Sequence, residues 1–235
     1  MRPICLVDQP FGLGDICFMQ KIADYIIKDG YAIEWPVIHN YRWLRDYIVK
    51  EHLTFYPQTS TSLMSGGPPD LIMPFSKSGE FYSLMPAIIS KYKMMNMSYE
   101  GWQDHFEFRR NREKEEQLMT VLGLKGKRYN LVSRTINTPP NETKLDVKIP
   151  DNGLPTVNIF IHGEFTPFDW ASVIENATNL YFIDSSFTFI CEKLALKAEE
   201  MWLVSRGHGT ERIHESALTL HAFRKPWKLL PPMSS

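Results

Sequence analysis

Cysteine is scarce in this 235-residue chain, which holds only Cys5, Cys17 and Cys191. They are far apart and show no C-x-x-C spacing, which argues against a disulfide framework or a thiolate zinc site. Each sits among apolar residues and is read as a buried, reduced thiol. An excess of charge of one sign is also missing: 26 Lys and Arg face 27 Asp and Glu, for a net charge of −1. That balance leaves no electrostatic footprint for nucleic acid or an anionic membrane. No uncharged apolar run reaches the roughly 20 residues a transmembrane helix needs. Residues 1–10, with Arg2, Asp8 and two prolines, lack the apolar core of a signal peptide. The expectation is a soluble cytoplasmic protein, in which the N-x-S/T sequons at Asn96, Asn141 and Asn176 are chance. Walker A, G-x-S-x-G and H-E-x-x-H patterns are absent. His208, His214 and His221 are spaced six and seven apart, which fits no common metal-ligand pair. No metal and no cofactor are expected.

What is present is a well-supplied core, 43% hydrophobic and 13% aromatic, in a length that suits one large domain or two small ones. The chain opens as strand, glycine turn, helix. Ile4-Cys5-Leu6-Val7 suits a buried parallel strand, and Ile16, Met19, Ala23 and Ile26 then recur at helical spacing up to a stop at Gly30. Strands are expected at residues 32–35, 53–56 and 71–73, with helices at 41–48 and 81–92, the latter bent or begun by Pro86. Residues 109–122 read as a charged helix with i,i+4 pairs of Arg109 with Glu113 and Arg112 with Glu116, a solvated face. Residues 125–128 read as a linker. A second series follows, with strands at 130–132, 157–161, 180–183 and 201–204 and helices at 168–177 and 187–196; residues 138–153 read as a loop. The alternation predicts an α/β protein of two Rossmann-like domains with a ligand crevice between them. The expected domains are 1–124 and 125–235, with the tail after His221 packing back on the first.

Three turns in this scheme can carry chemistry. Gly12-Leu13-Gly14-Asp15 lies between a strand and a helix, where glycines admit a ligand to the backbone and the helix start favours anions. As a dinucleotide fingerprint it is incomplete, because Cys17 stands at the third glycine position. Asp15 is either the helix N-cap or, at a crevice, a general base. Asp184-Ser185-Ser186 repeats the topology in the second half, as a cap or a phosphate cradle. Ser133-Arg134-Thr135 follows a strand whose carboxyl end is where open α/β sheets bind ligands, and Arg134 there can pair with a diphosphate. His162-Gly163-Glu164 also follows a strand and can line the same crevice.

Together these pieces resemble the GT-B glycosyltransferases, above all the heptosyltransferase-like (ADP-heptose:LPS) group, in a shortened form. The resemblance rests on Gly12-Leu13-Gly14-Asp15-Ile16 and on Phe182-Ile183-Asp184-Ser185-Ser186-Phe187 followed by Cys191-Glu192-Lys193-Leu194. Ser186 stands where many relatives carry Gly. The resemblance implies an acceptor-side first domain and a second domain that holds a nucleotide-sugar donor. It implies metal-independent transfer of a sugar to a hydroxyl of a glycan or glycoconjugate, usually with inversion. Asp15 matches the position of the catalytic base. Ser133, Arg134, Thr135, His162, Gly163, Asp184, Ser185 and Ser186 fall in donor-binding regions, and Gly12 and Gly14 form the crevice turn. The alternatives are a non-catalytic nucleotide-sugar-binding or scaffold protein of the same fold, or another nucleotide-dependent enzyme such as an epimerase.

Overall fold

The computed structural model describes residues 2–58, 67–81, 85–138, 141–144, 149–160, 164–205 and 210–230. Its contacts divide the chain into two compact units, residues 1–109 and 110–235.

The first unit is a four-stranded parallel sheet of β1 (Ile4–Val7), β2 (Ala32–Val37), β3 (Leu53–Pro57) and β4 (Leu71–Met73), in the order β3-β2-β1-β4. Helices α1 (Leu13–Phe18) and α2 (Gln20–Lys28), separated by Met19 alone, follow β1 after the turn at residues 8–12. They bury Ile16, Met19, Ala23 and Ile26, the positions with helical spacing in the sequence. Gly30 ends the run at φ 102°, a conformation that costs a residue with a Cβ. A short α3 (Leu44–Tyr47) follows β2, and α4 (Ser78–Phe81) and α5 (Ala87–Met94) follow β4. The helix expected over 81–92 is thus two pieces. Pro86, extended at ψ 142°, is the N-cap of α5, since a proline at the edge of a helix removes no hydrogen bond. Trp35, fully buried, packs on Phe55 at 5.3 Å between ring centroids and donates its indole N–H to Gln9 O at 2.9 Å.

The second unit begins at α6 (Arg112–Val121), which packs on residues 167–170 and on α7 (Ala171–Asn176). The helix expected in the first domain, ahead of residue 124, therefore belongs to the second unit. Its ion pairs also differ from the expected i,i+4 set. Arg110 bridges Glu115 and Glu175, at 2.5 and 2.9 Å, and Arg112 reaches Glu115 at 3.4 Å. The Glu115 side chain is 1% exposed, so this face is an interior ion network and only partly solvated.

The sheet of this unit contains β5 (Asn130–Ser133), β8 (Thr156–Asn158), β9 (Asn179–Ile183), β10 (Glu200–Val204) and β11 (Lys228–Leu230), all parallel, in the order β11-β10-β9-β5-β8. Every residue of β5 and β9 is buried, as befits central strands covered on both faces. Helices α8 (Ser186–Cys191) and α9 (Thr210–Leu220) follow β9 and β10. The stretch expected as a loop over 138–153 instead shares in an antiparallel hairpin of β6 (Thr135–Thr138) and β7 (Asn141–Lys144). Through residue 230 the tail runs along this sheet. There β11 pairs with β10, and Trp227 packs on Phe182 at 5.8 Å.

Candidate active site

In a parallel sheet, ligands gather beyond the carboxyl ends of the strands, where the chain leaves two neighbouring strands in opposite directions. Each unit has one such point. In the first it lies between β1 and β4. In the second it lies between β5 and β9, because the third strand of the parallel set, β9, is beside the first, β5, and the second, β8, lies on its other side.

At the first point, residues 8–15 leave β1. The carbonyls of Gln9, Pro10, Phe11 and Gly12 each accept a hydrogen bond, from Trp35 Nε1, Ile38 N, Gln9 Nε2 and Ile16 N. Gly12 is the N-cap of α1 at φ 84°, and Gly14 is the second residue of that helix. Asp15 is not the cap. It is the third helical residue, and its carboxylate folds back over Gly12, so that a Cβ at Gly12 would collide with Asp15 Oδ2. The other carboxylate oxygen, Oδ1, accepts from Lys91 Nζ at 2.5 Å. Lys91 comes from α5 and is 5% exposed, against 20% for Asp15. Its ammonium also lies over the Phe18 ring, 5.9 Å from the centroid. Burial pushes the Tyr41 hydroxyl above its ordinary range, the Leu13 backbone hydrogen bond opposes this, and the Asp15 charge adds to it, which brings Tyr41 into the same group. Across the strand gap, Ser76 follows β4. Its hydroxyl donates to Asp8 Oδ2 at 2.7 Å, and its N–H donates to Asp8 O.

At the second point, Ser133 is the last residue of β5 and pairs in register with Phe182 of β9. Arg134 follows, half-buried, with Nε donating to Asn158 Oδ1 at 2.9 Å. Asp184 and Ser185, both buried, leave the end of β9. The topology thus brings Ser133-Arg134 and Asp184-Ser185 to one edge from adjacent strands. Ser185 is the N-cap of α8 but does not cap it with its side chain, and its buried hydroxyl has no hydrogen-bond partner among the described residues. The Ser185 carbonyl is engaged by Thr188 Oγ1 at 2.6 Å. Ser186 is the first residue of α8, and Thr135 opens the hairpin as the first residue of β6. His162 and Gly163 lie outside the described residues. Burial lifts the Cys17 and Cys191 thiols well above their ordinary range, as expected of inert core cysteines. Among the described residues, no three His, Cys, Asp or Glu side chains are grouped to hold a metal ion.

Two parallel α/β units, each with its own point of strand reversal, make two Rossmann-like domains, and comparison with solved structures finds a similar fold in known glycosyltransferases. The chain is similar to a glycosyl transferase family 9 protein from Veillonella parvula DSM 2008, with 10% identity over 99% of this chain and 88% of that one, at a TM-score of 0.54. It is also similar to the iron-containing dodecameric glycosyltransferase TibC from enterotoxigenic E. coli H10407, with 10% identity over 91% of this chain, at a TM-score of 0.52. TibC in complex with ADP-D-β-D-heptose matches at 10% identity over 91% of this chain and a TM-score of 0.50. The chain spans 65% of the length of TibC. No protein-family model and no curated protein sequence matches it.

Lys91, Tyr41, Ser76 and the Gln9 clamp did not emerge as site residues from sequence reasoning. Ser76 is visible only once β4 is known to lie beside β1.

Proposed function

We propose that the chain is a glycosyltransferase that moves a sugar from a nucleotide-sugar to a hydroxyl of a glycan or glycoconjugate, with inversion and without a metal. The donor is held by the second unit, with its diphosphate against Ser133, Arg134 and Ser185. Thr135, His162, Gly163, Asp184 and Ser186 belong to the same donor region in this reading. The acceptor and the base belong to the first unit. Asp15 takes the proton of the acceptor hydroxyl as its oxygen bonds to the anomeric carbon. The bond from that carbon to the diphosphate breaks, and its electron pair leaves with the nucleoside diphosphate. Arg134 offsets the charge that develops on the departing group.

The observation that carries this reading is the β5/β9 edge. It gathers a guanidinium and a buried hydroxyl without a described partner from adjacent strands, at the place where such sheets bind phosphates. The likeness in fold to known glycosyltransferases supports it. We place the protein in the cytoplasm, in keeping with its three free, buried cysteines; among the described residues no helix is long and apolar enough to cross a membrane. A thermal-shift screen of ADP-, UDP- and GDP-sugars tests the reading, because a specific ligand stabilises the folded state. One nucleotide class is expected to raise the melting temperature, with release of the nucleoside diphosphate that chelator leaves intact. No stabilisation by any of them contradicts donor binding, and a strict demand for added Mn²⁺ or Mg²⁺ contradicts metal independence.

The non-catalytic alternative has one specific support. Asp15 is already engaged by a buried ammonium, and a carboxylate so tied can serve as a structural link between α1 and α5.

A further inference from the structure

Phe11 is a large apolar side chain left 36% exposed on the segment that joins β1 to the glycine turn. A mobile surface loop would make this ordinary. This segment is held at every residue. Gln9 is itself 2% exposed and spends its amide N–H on Phe11 O at 2.5 Å, and the carbonyls on either side are bonded to Ile38 N and Ile16 N. The result is a fixed backbone that presents one aromatic ring outward beside Gly12, the residue over which the Asp15 carboxylate lies. An aromatic side chain carried on a backbone fixed in advance offers a large contact area, with only its own two χ angles to order on binding.

We propose that Phe11 is the platform on which the acceptor's sugar ring stacks, which sets the hydroxyl next to it in reach of Asp15. The inference rests on the reading of the first unit as the acceptor side. The chemistry fits a pyranose. Its axial C–H bonds carry partial positive charge and meet the electron-rich face of the ring, while its hydroxyls remain at the rim for polar partners such as Asp15 and Asp8. A nucleobase can stack on such a ring as well, and the nucleotide arm of the test separates the two.

The test uses saturation-transfer NMR on the whole protein with methyl gluco-, galacto- and mannopyranosides and a methyl heptopyranoside as probes. At least one glycoside is expected to bind, with saturation strongest on the C–H groups of one face. Phe11→Ala is expected to weaken that binding roughly two- to tenfold, the range of an aromatic contact beyond its area, and Phe11→Trp to preserve it. Calorimetry of ADP, UDP and GDP is expected to give the same affinity in Phe11→Ala as in the unaltered protein. The inference is overturned if no glycoside binds, if Phe11→Ala binds glycosides as well as the unaltered protein, or if that variant loses nucleotide affinity instead. Because the glycoside arm needs no nucleotide, a protein that binds glycosides through Phe11 but no nucleotide-sugar contradicts only the transferase reading. Nucleotide-sugar binding with no glycoside contact contradicts only this inference.

Discussion

Lys91 Nζ lies 2.5 Å from Asp15 Oδ1, and the lysine is the more deeply buried partner. The pair joins α5 to α1 across 76 residues of sequence. Removing one member of a buried pair leaves the other charge uncompensated, at a cost of about 3–5 kcal/mol. Asp15→Asn strands the almost wholly buried ammonium, so its cost is expected in that range. Lys91→Met strands a carboxylate that still meets water, so its cost is expected near about 3 kcal/mol or below. Denaturant titration of both variants checks the order, and a greater loss in Lys91→Met than in Asp15→Asn contradicts it.

The same carboxylate makes Gly12 irreplaceable. A Gly12→Ala change meets both a left-handed φ and a clash with Asp15 Oδ2. The backbone alone costs about 1–2 kcal/mol, and displacement of the carboxylate adds to it. Thermal melts are expected to show the loss, with Gly30→Ala as the comparison, since a Cβ at Gly30 meets nothing within 4 Å. Equal losses at the two glycines contradict the role given to the Asp15 contact.

In the second unit, Arg110 holds Glu115 and Glu175 together. Burial acts to raise the Glu175 carboxyl, and the hydrogen bonds and charge of Arg110 more than offset it, so the net direction is below the ordinary 4.5. A carboxyl depressed in the folded state contributes stability that is present above its unfolded value and fades as pH falls through the folded one. Unfolding free energy is therefore expected to fall as the pH drops below about 4.5. Arg110→Met is expected to cost about 3–5 kcal/mol at neutral pH, because Glu115 is left buried without its main partner, and to flatten that acid dependence. An unchanged acid slope in Arg110→Met contradicts the assignment.

Donor binding at the β5/β9 edge is tested by Arg134→Ala. A charge-assisted hydrogen bond contributes about 1.5–3 kcal/mol, so affinity for nucleoside diphosphate is expected to fall by roughly ten- to a hundredfold. The melting temperature of the free protein is expected to move less than the affinity does, since Arg134 lies at a strand end and is only half-buried. Unchanged affinity by calorimetry contradicts the donor assignment.

The strands that form the two sheets were mostly legible in the sequence, because central parallel strands such as Leu180-Tyr181-Phe182-Ile183 are short continuous apolar runs between polar turns. The edge strand at 228–230 and the hairpin at 135–144 were not. Their residues are mixed or polar, and their pairing depends on partners far away in the chain. Asp15 stood out from its glycine turn, but its partner did not. Yet Lys91 shares one helical stripe with Ile88 and Tyr92, and Glu115 shares one with Leu118 and Met119; all six are buried. A charged residue on an apolar stripe signals a buried partner. The sequence does not say which one, because Asp15 and Arg110 are brought there by tertiary packing.

Asp15→Asn alone cannot separate a lost base from a stranded lysine. The Asp15→Asn/Lys91→Met double variant can, because it replaces the buried pair with two neutral groups and is expected to recover most of the stability that Asp15→Asn loses. The decisive measurement is single-turnover release of nucleoside diphosphate from the stabilising nucleotide-sugar, compared between the double variant and Lys91→Met, with donor affinity measured in both. If Asp15 is the base, donor affinity is the same in the two proteins and turnover in the double variant is lower by about 10²–10⁴-fold. Turnover within a few-fold of Lys91→Met, in a folded double variant that binds donor normally, contradicts a catalytic role for Asp15.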